Sequence, residues 1–169
     1  MLNLTVQALE ALPDSAISAA RDSTGMGAGH YAALHGHLDV LRMLKTRGLY
    51  SADARDMKGC TPLLCAATGG HLPVVQWLLS PAGGASVNER DTRGNTALLL
   101  AAANNHLPVV QWLLSPAGGA NIDEQNTHGR TALMLADQRN YGNAVEWLLM
   151  AGATDKTASD SYPPFSCKE

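Results

Sequence analysis

The sequence predicts an all-α solenoid of about four helix-turn-helix repeats with protruding loops, and three observations carry that expectation. The fifteen residues His71 to Ala85, HLPVVQWLLSPAGGA, recur letter for letter at His106 to Ala120, thirty-five positions on. Turn glycines fall at Gly25, Gly59, Gly94 and Gly129, spaced thirty-four, thirty-five and thirty-five residues apart. Within the units, apolar residues such as those of VVQWLL return at helical rather than alternating spacing.

In chain order, residues 1–21 read as a helical N-terminal cap, built from Leu4 to Leu12 and Ala16 to Ala20, that shields the open face of the first unit. The repeats span 22–55, 56–90, 91–125 and 126–155, and 156–169 reads as a flexible tail of Lys, Thr, Ser, Asp and Pro. Each unit opens at Asp22, Asp56, Asp91 or Asn126. After the turn glycine, Thr61, Thr96 and Thr131 are placed to cap a first helix, with Pro62 suited to its first turn. The alanine pairs Ala66-Ala67 and Ala101-Ala102 allow close helix approach. Gly69-Gly70 and Asn104-Asn105 then supply residues that tolerate the left-handed conformation at a helix end. The second helix has Pro73 or Pro108 near its start, and SPAGGA forms a turn-rich connector to the next unit. In the last unit Asp137, Gln138, Arg139 and Asn140 give the polar face that a terminal repeat turns to water.

The ordered succession of turn glycine, Thr-x-Leu (Thr61-Pro62-Leu63, Thr96-Ala97-Leu98, Thr131-Ala132-Leu133), alanine pair, Gly-His-Leu and Val-Val-x-x-Leu-Leu resembles the ankyrin repeat from Asp22 to about Asp155. Three departures stand out. The landmark histidine after Thr-Pro-Leu is replaced by Leu64, Leu99 and Met134, so another group must hold the turn it supports. The connectors after Leu79 and Leu114 exceed the family pattern by about two residues, which predicts a bulge. The first unit has Gly27-Ala28-Gly29-His30 in place of Thr-Pro-Leu-His and reads as a frayed edge.

The resemblance implies a protein-binding module, an adaptor or inhibitor, whose partner lies on a concave side formed by loop tips and the exposed face of each first helix. Carried onto this chain, the partner-binding residues are Met57, Lys58, Cys60 and Thr68 in the second unit, Thr92, Arg93, Asn95 and Asn104 in the third, and Thr127, His128, Arg130, Gln138 and Arg139 in the fourth. The second helix is copied while this set varies in chemistry. Lys58, Arg93 and His128 occupy one position in successive turns, a basic stripe suited to an acidic or extended segment of the partner. The competing reading is local pairing, with Arg55 beside Asp56 and Arg90 beside Asp91.

Composition limits the alternatives. A net charge of -3 and 16% charged residues give no polybasic arm, so neither nucleic acid nor a membrane is expected as a partner. No apolar run reaches the roughly 18 residues of a membrane helix, and the opening lacks the pattern of a secretory signal. Cys60, Cys65 and Cys167 form no disulfide framework or metal spacing, so reduced thiols in the cytoplasm, with the nucleus also open, are expected of a monomer. No Gly-x-Ser-x-Gly, GxxxxGK or dinucleotide fingerprint is present, so no enzyme activity or cofactor is expected. His37, His71 and His106 stand in register, but columns of a stacked array lie about 10 Å apart, too far for one ion with bonds of about 2 Å. Trp77, Trp112 and Trp147 form a second column, read as packing between adjacent helices. Tyr162-Pro163-Pro164-Phe165 could serve as a short polyproline-type ligand. Two other classes stay open: a targeting fragment of a larger enzyme or signalling protein, and a metal- or small-molecule-binding protein.

Overall fold

The computed structural model describes residues 11–154, and within them the regular structure is helical. Residues 1–10, which hold most of the Leu4 to Leu12 segment, lie outside the described residues, as do the tail from residue 155, Tyr162 to Phe165 and Cys167. Nine helices are described: α1 (Asp14–Ala19), α2 (Ala28–Leu34), α3 (Leu38–Thr46), α4 (Pro62–Gly69), α5 (Leu72–Leu79), α6 (Ala97–Ala103), α7 (Leu107–Leu113), α8 (Ala132–Gln138) and α9 (Gly142–Met150). The even-numbered first helices pack on one another in a row from α2 to α8, while α3, α5 and α7 form a second row beside them. Between the rows lies one continuous core that includes Leu41, Leu63, Leu78, Leu98, Leu113 and Leu148.

The caps follow the sequence. Thr61, Thr96 and Thr131 each accept a hydrogen bond at Oγ1 from the backbone N–H three residues on, at 3.4, 3.4 and 3.3 Å. Between the helices of each pair, Gly36, Gly70, Asn105 and Asn140 take positive φ, at 77°, 75°, 60° and 59°. That is the left-handed break expected from the Gly/Asn pattern.

The first unit is not frayed. His30 is buried, its Nδ1 accepts from the Gly27 N–H at 3.2 Å, and its Nε2 lies 3.0 Å from the Ala54 carbonyl and 3.1 Å from that of Cys60. The imidazole thus caps its own helix and reaches the next loop, which offsets the helix cost of the flanking glycines. Helix α1 lays Ile17 against this unit, and Arg47 ties it down by an ion pair to Asp14 and a 2.8 Å bond to the Leu12 carbonyl.

The long connectors do not bulge. Gly83 and Gly84 both donate to the Ser80 carbonyl at 3.0 Å, and Ala85 donates to the Leu78 carbonyl at 2.9 Å, so the extra residues fold back over the end of α5. Ser115 to Ala120 repeats the arrangement on α7. These bonds satisfy carbonyls that a helix end leaves orphaned.

Trp77, Trp112 and Trp147 pack against the core but are each half-buried. Tyr50 covers Trp77 edge-on, with ring centroids 5.6 Å apart. Trp147 lines a shallow hollow with Leu114, Ile122 and Ala151 on the side of the second helices.

Candidate loop-tip and first-helix interface

Each loop tip is built by one residue. The side-chain oxygen of Asp22, Asp56, Asp91 or Asn126 accepts the N–H groups two and four residues on, for instance Lys58 and Cys60 at 2.8 Å each and Arg93 and Asn95 at 2.9 and 2.8 Å. This is an Asx turn, and it closes each tip within the chain's own residues. Successive tips are joined by backbone bonds: Met57 N–H to Thr24 O at 2.9 Å, Thr92 to Lys58 at 2.9 Å and Thr127 to Arg93 at 3.0 Å. The tips therefore form a continuous, ordered row.

That row sorts the predicted interface residues. Thr92 and Thr127 are exposed, yet their hydroxyls donate to the Lys58 and Arg93 carbonyls at 2.9 and 2.8 Å, so both are joints of the row. Thr68 and Asn104 donate back to the Leu64 and Leu100 carbonyls at 2.8 Å, and Asn95 bridges Asp91 and Asn126 at 2.9 Å each. Cys60 is half-buried; burial, with Asp56 and Asp91 nearby, pushes its thiol up to about 11. Burial likewise pushes Cys65 up to about 12. Neither is a ready nucleophile at neutral pH, since the thiolate is the reactive form. Met57, at 75% exposure, and Lys58 stand out in solvent.

Arg55 and Arg90 do not pair with the aspartates beside them. Arg55 Nη1 donates to the Gly59 carbonyl at 2.7 Å and to that of Arg90 at 2.8 Å; Arg90 Nη1 donates to Gly94 at 2.8 Å and Gln125 at 2.9 Å. Each guanidinium staples its own loop to the next, using two donors of a rigid fork. The neighbouring aspartates are occupied by the turns. This corrects the expectation of local Arg–Asp pairing: both arginines remain exposed, but their guanidinium groups are engaged by loop carbonyls.

Where the third and fourth units meet, the tips and first helices enclose an open groove of about 500 Å³. Six of the predicted residues line it: Arg93, Asn95, Asn104, His128, Arg130 and Arg139. Among the described residues, the side chains of Arg93 and Arg139 have no hydrogen-bond or ion-pair partner, whereas Arg130 donates to the Gln138 amide oxygen at 2.8 Å. No carboxylate is among the lining residues. Leu99, Leu100, Ala103 and Leu135 form the apolar part of the wall. Leu100 and Leu135 are the residues sequence reasoning passed over, although both stand six positions after a turn glycine, in register with Tyr31 and Cys65.

At the other end of the same face, the exposed Tyr31 donates its hydroxyl to Asp22 at 2.6 Å. That bond, with those from Thr24 and Met26, holds the Asp22 carboxyl well below its usual range. Like the turn aspartates of the next two units, Asp22 is thus engaged within its own unit.

The family model described as Ankyrin repeats (3 copies) matches residues 3–91 and 82–160. The chain belongs to the ankyrin repeat family. Two of its histidines act as ankyrin scaffold: His71 Nε2 lies 2.9 Å from the Leu34 carbonyl and His106 Nε2 2.8 Å from that of Thr68, each bridging to the preceding unit. No group of three or more His, Cys, Asp or Glu able to hold a metal ion occurs among the described residues of this ankyrin solenoid, and no described helix is long and apolar enough to cross a membrane. Ankyrin repeats in general are protein-protein interaction modules, and their fold is typically non-catalytic.

Proposed function

We propose that this ankyrin chain is a non-enzymatic adaptor or inhibitor that binds one partner protein along its loop tips and first helices, as a monomer in the cytoplasm or nucleus. The observation that carries the reading is the row of closed, mutually bonded loop tips, from which Lys58, Arg93 and His128 project at one position in successive units. Ordering the tips beforehand lowers the conformational entropy lost on binding. The uncompensated cations favour an acidic, extended segment of the partner running along the tips. The free Cys60 and Cys65 thiols suit a reducing compartment.

A capture experiment with wild type and a Lys58→Glu, Arg93→Glu double variant tests the reading. Both side chains are exposed and unpaired, so folding should be unchanged by circular dichroism. Proteins captured specifically by wild type should be depleted at least about tenfold with the variant, an effect of about 1.4 kcal/mol, within reach of two reversed charges at one contact. Identical captures in equal abundance would remove this face from the interaction.

A further inference from the structure

We infer that the groove between the third and fourth units takes an acidic segment with one apolar side chain among its carboxylates, that side chain seated over Leu100 and Leu135. The inference rests on the protein-binding reading above and adds a place and a pattern to it. Three observations lead there.

The groove is uncompensated. Arg93, Arg130 and Arg139 line it with His128, and no acidic residue does. The nearby carboxylates are accounted for: Asp91 is held by the Arg93 and Asn95 N–H groups and the Asn95 amide, and Glu124 is bonded to Thr96. Asp137 stands on α8 but is not part of the wall.

One cation is also positioned in advance. Arg130 is held by Gln138, a neutral acceptor, which orients the guanidinium without cancelling its charge. An aspartate or glutamate at 138 would have done the opposite. An oriented Arg fork is matched to a carboxylate in two-point contact.

The floor, finally, is apolar. Leu100 and Leu135 are half-buried side by side on neighbouring helices α6 and α8, with Ala103 beside them and the buried Leu99 beneath. A purely charged ligand would leave this surface wet, whereas an aliphatic side chain would cover it at about 25 cal/mol for each Å² removed from water. The wall contains no Phe, Tyr or Trp, which sets it apart from the stacking platforms that hold single-stranded nucleic acid. Its volume lies in the range of about 300–1,000 Å³ common to ligand clefts.

The test uses the full chain and three fluorescein-labelled dodecapeptides of Glu and Ser residues. The first carries a central Leu flanked by glutamates, the second has Ser for that Leu, and the third has Lys for every Glu. Fluorescence anisotropy reads affinity, and amide shifts in heteronuclear NMR read location. The leucine peptide should bind with shifts centred on Arg93, Leu100, Arg130 and Leu135, and its affinity should fall steeply with added salt. The serine peptide should bind at least about fivefold more weakly, and the lysine peptide should not bind. An Arg130→Gln, Arg139→Gln variant, altered only at exposed positions, should weaken the leucine peptide about fivefold or more. Equal affinity for leucine and serine peptides overturns the inference, as does binding unaffected by the double variant or shifts that lie elsewhere. If no acidic peptide binds while the Lys58→Glu, Arg93→Glu change still abolishes capture, this inference fails and the broader reading stands; if capture is also insensitive, both fail.

Discussion

Replacing Glu89 with alanine is expected to destabilise the protein by about 2 to 4 kcal/mol, measured as a fall in the urea unfolding free energy. Glu89 is buried, accepts the Thr61 hydroxyl at one carboxylate oxygen, and accepts the Ser86 N–H at the other at 2.8 Å. Removing the carboxylate leaves the buried Thr61 hydroxyl without that acceptor and unties the connector from the first helix of its own unit. A Thr61→Val, Glu89→Leu double variant should cost less than the sum of the two single changes, because the pair acts as one unit. A loss below about 0.5 kcal/mol for Glu89→Ala, the range of ordinary surface changes, would show that the contact holds nothing.

The same bond answers the departure at the landmark position. In the first unit His30 reaches the Ala54 and Cys60 carbonyls. In the second and third units, where leucine replaces histidine, a buried carboxylate fastens the capping threonine to the connector: Glu89 to Thr61, and Glu124 to Thr96. Ala54, Glu89 and Glu124 stand at one register, thirty-five residues apart. Histidine goes with alanine and leucine with glutamate, two ways of tying a helix start to the loop beyond it.

Glu124 adds a pH signature. Burial raises its carboxyl above the ordinary value, against the opposing Thr96 bond and the Arg90 guanidinium. A carboxyl raised in the folded state contributes its full stability below the unfolded value of about 4.3 and loses it as pH climbs through the higher folded value. Urea midpoints of the wild type should therefore carry a component that declines upward from about pH 4.3. Glu124→Gln should remove that component while keeping an acceptor for Thr96; an unchanged slope would refute the assignment.

The repeat, its helices and its caps were legible because they follow from local rules. Threonine caps, left-handed Gly or Asn breaks and the helical apolar period each act within a few residues. What stayed hidden was contact between units. Arg55 and Arg90 looked paired with adjacent aspartates, yet each reaches a carbonyl thirty-five residues away. Glu89 and Glu124 sit in polar connectors and gave no sign of burial, although equal register in two units was a signal available to be read. At Gly70 the glycine also answers to a neighbour in the next unit. A Cβ on Gly70 would meet the His106 ring of the next unit, while the unit after Asn105 has Tyr141 at the matching place. On the candidate face, register alone picks out the residues that vary between units. Which are joints and which are free followed only from their bonds, and the leucine floor was missed because leucine in a helix reads as core.

The duplicated connector supplies the sharpest contrast in stability, because Gly83 and Gly84 are glycines for different reasons. Gly83 is buried, and a Cβ there would overlap the backbone of Trp77 and Leu78, atoms that cannot rotate away. Gly84 has open space around its missing Cβ but a φ of 77°. Gly83→Ala should therefore destabilise by about 3 kcal/mol through overpacking, and Gly84→Ala by about 1 kcal/mol through left-handed strain. Gly118→Ala and Gly119→Ala should repeat the pair in the next unit, since their surroundings are the same. Chemical denaturation of the four single variants decides the matter. If position 83 tolerates alanine as well as position 84 does, the connector is not seated on the end of α5 but stands away from it, as its extra length had suggested. If the two pairs match, the letter-for-letter repetition of SPAGGA has a physical cause: each copy must close the carbonyl end of a helix in a space that admits no side chain.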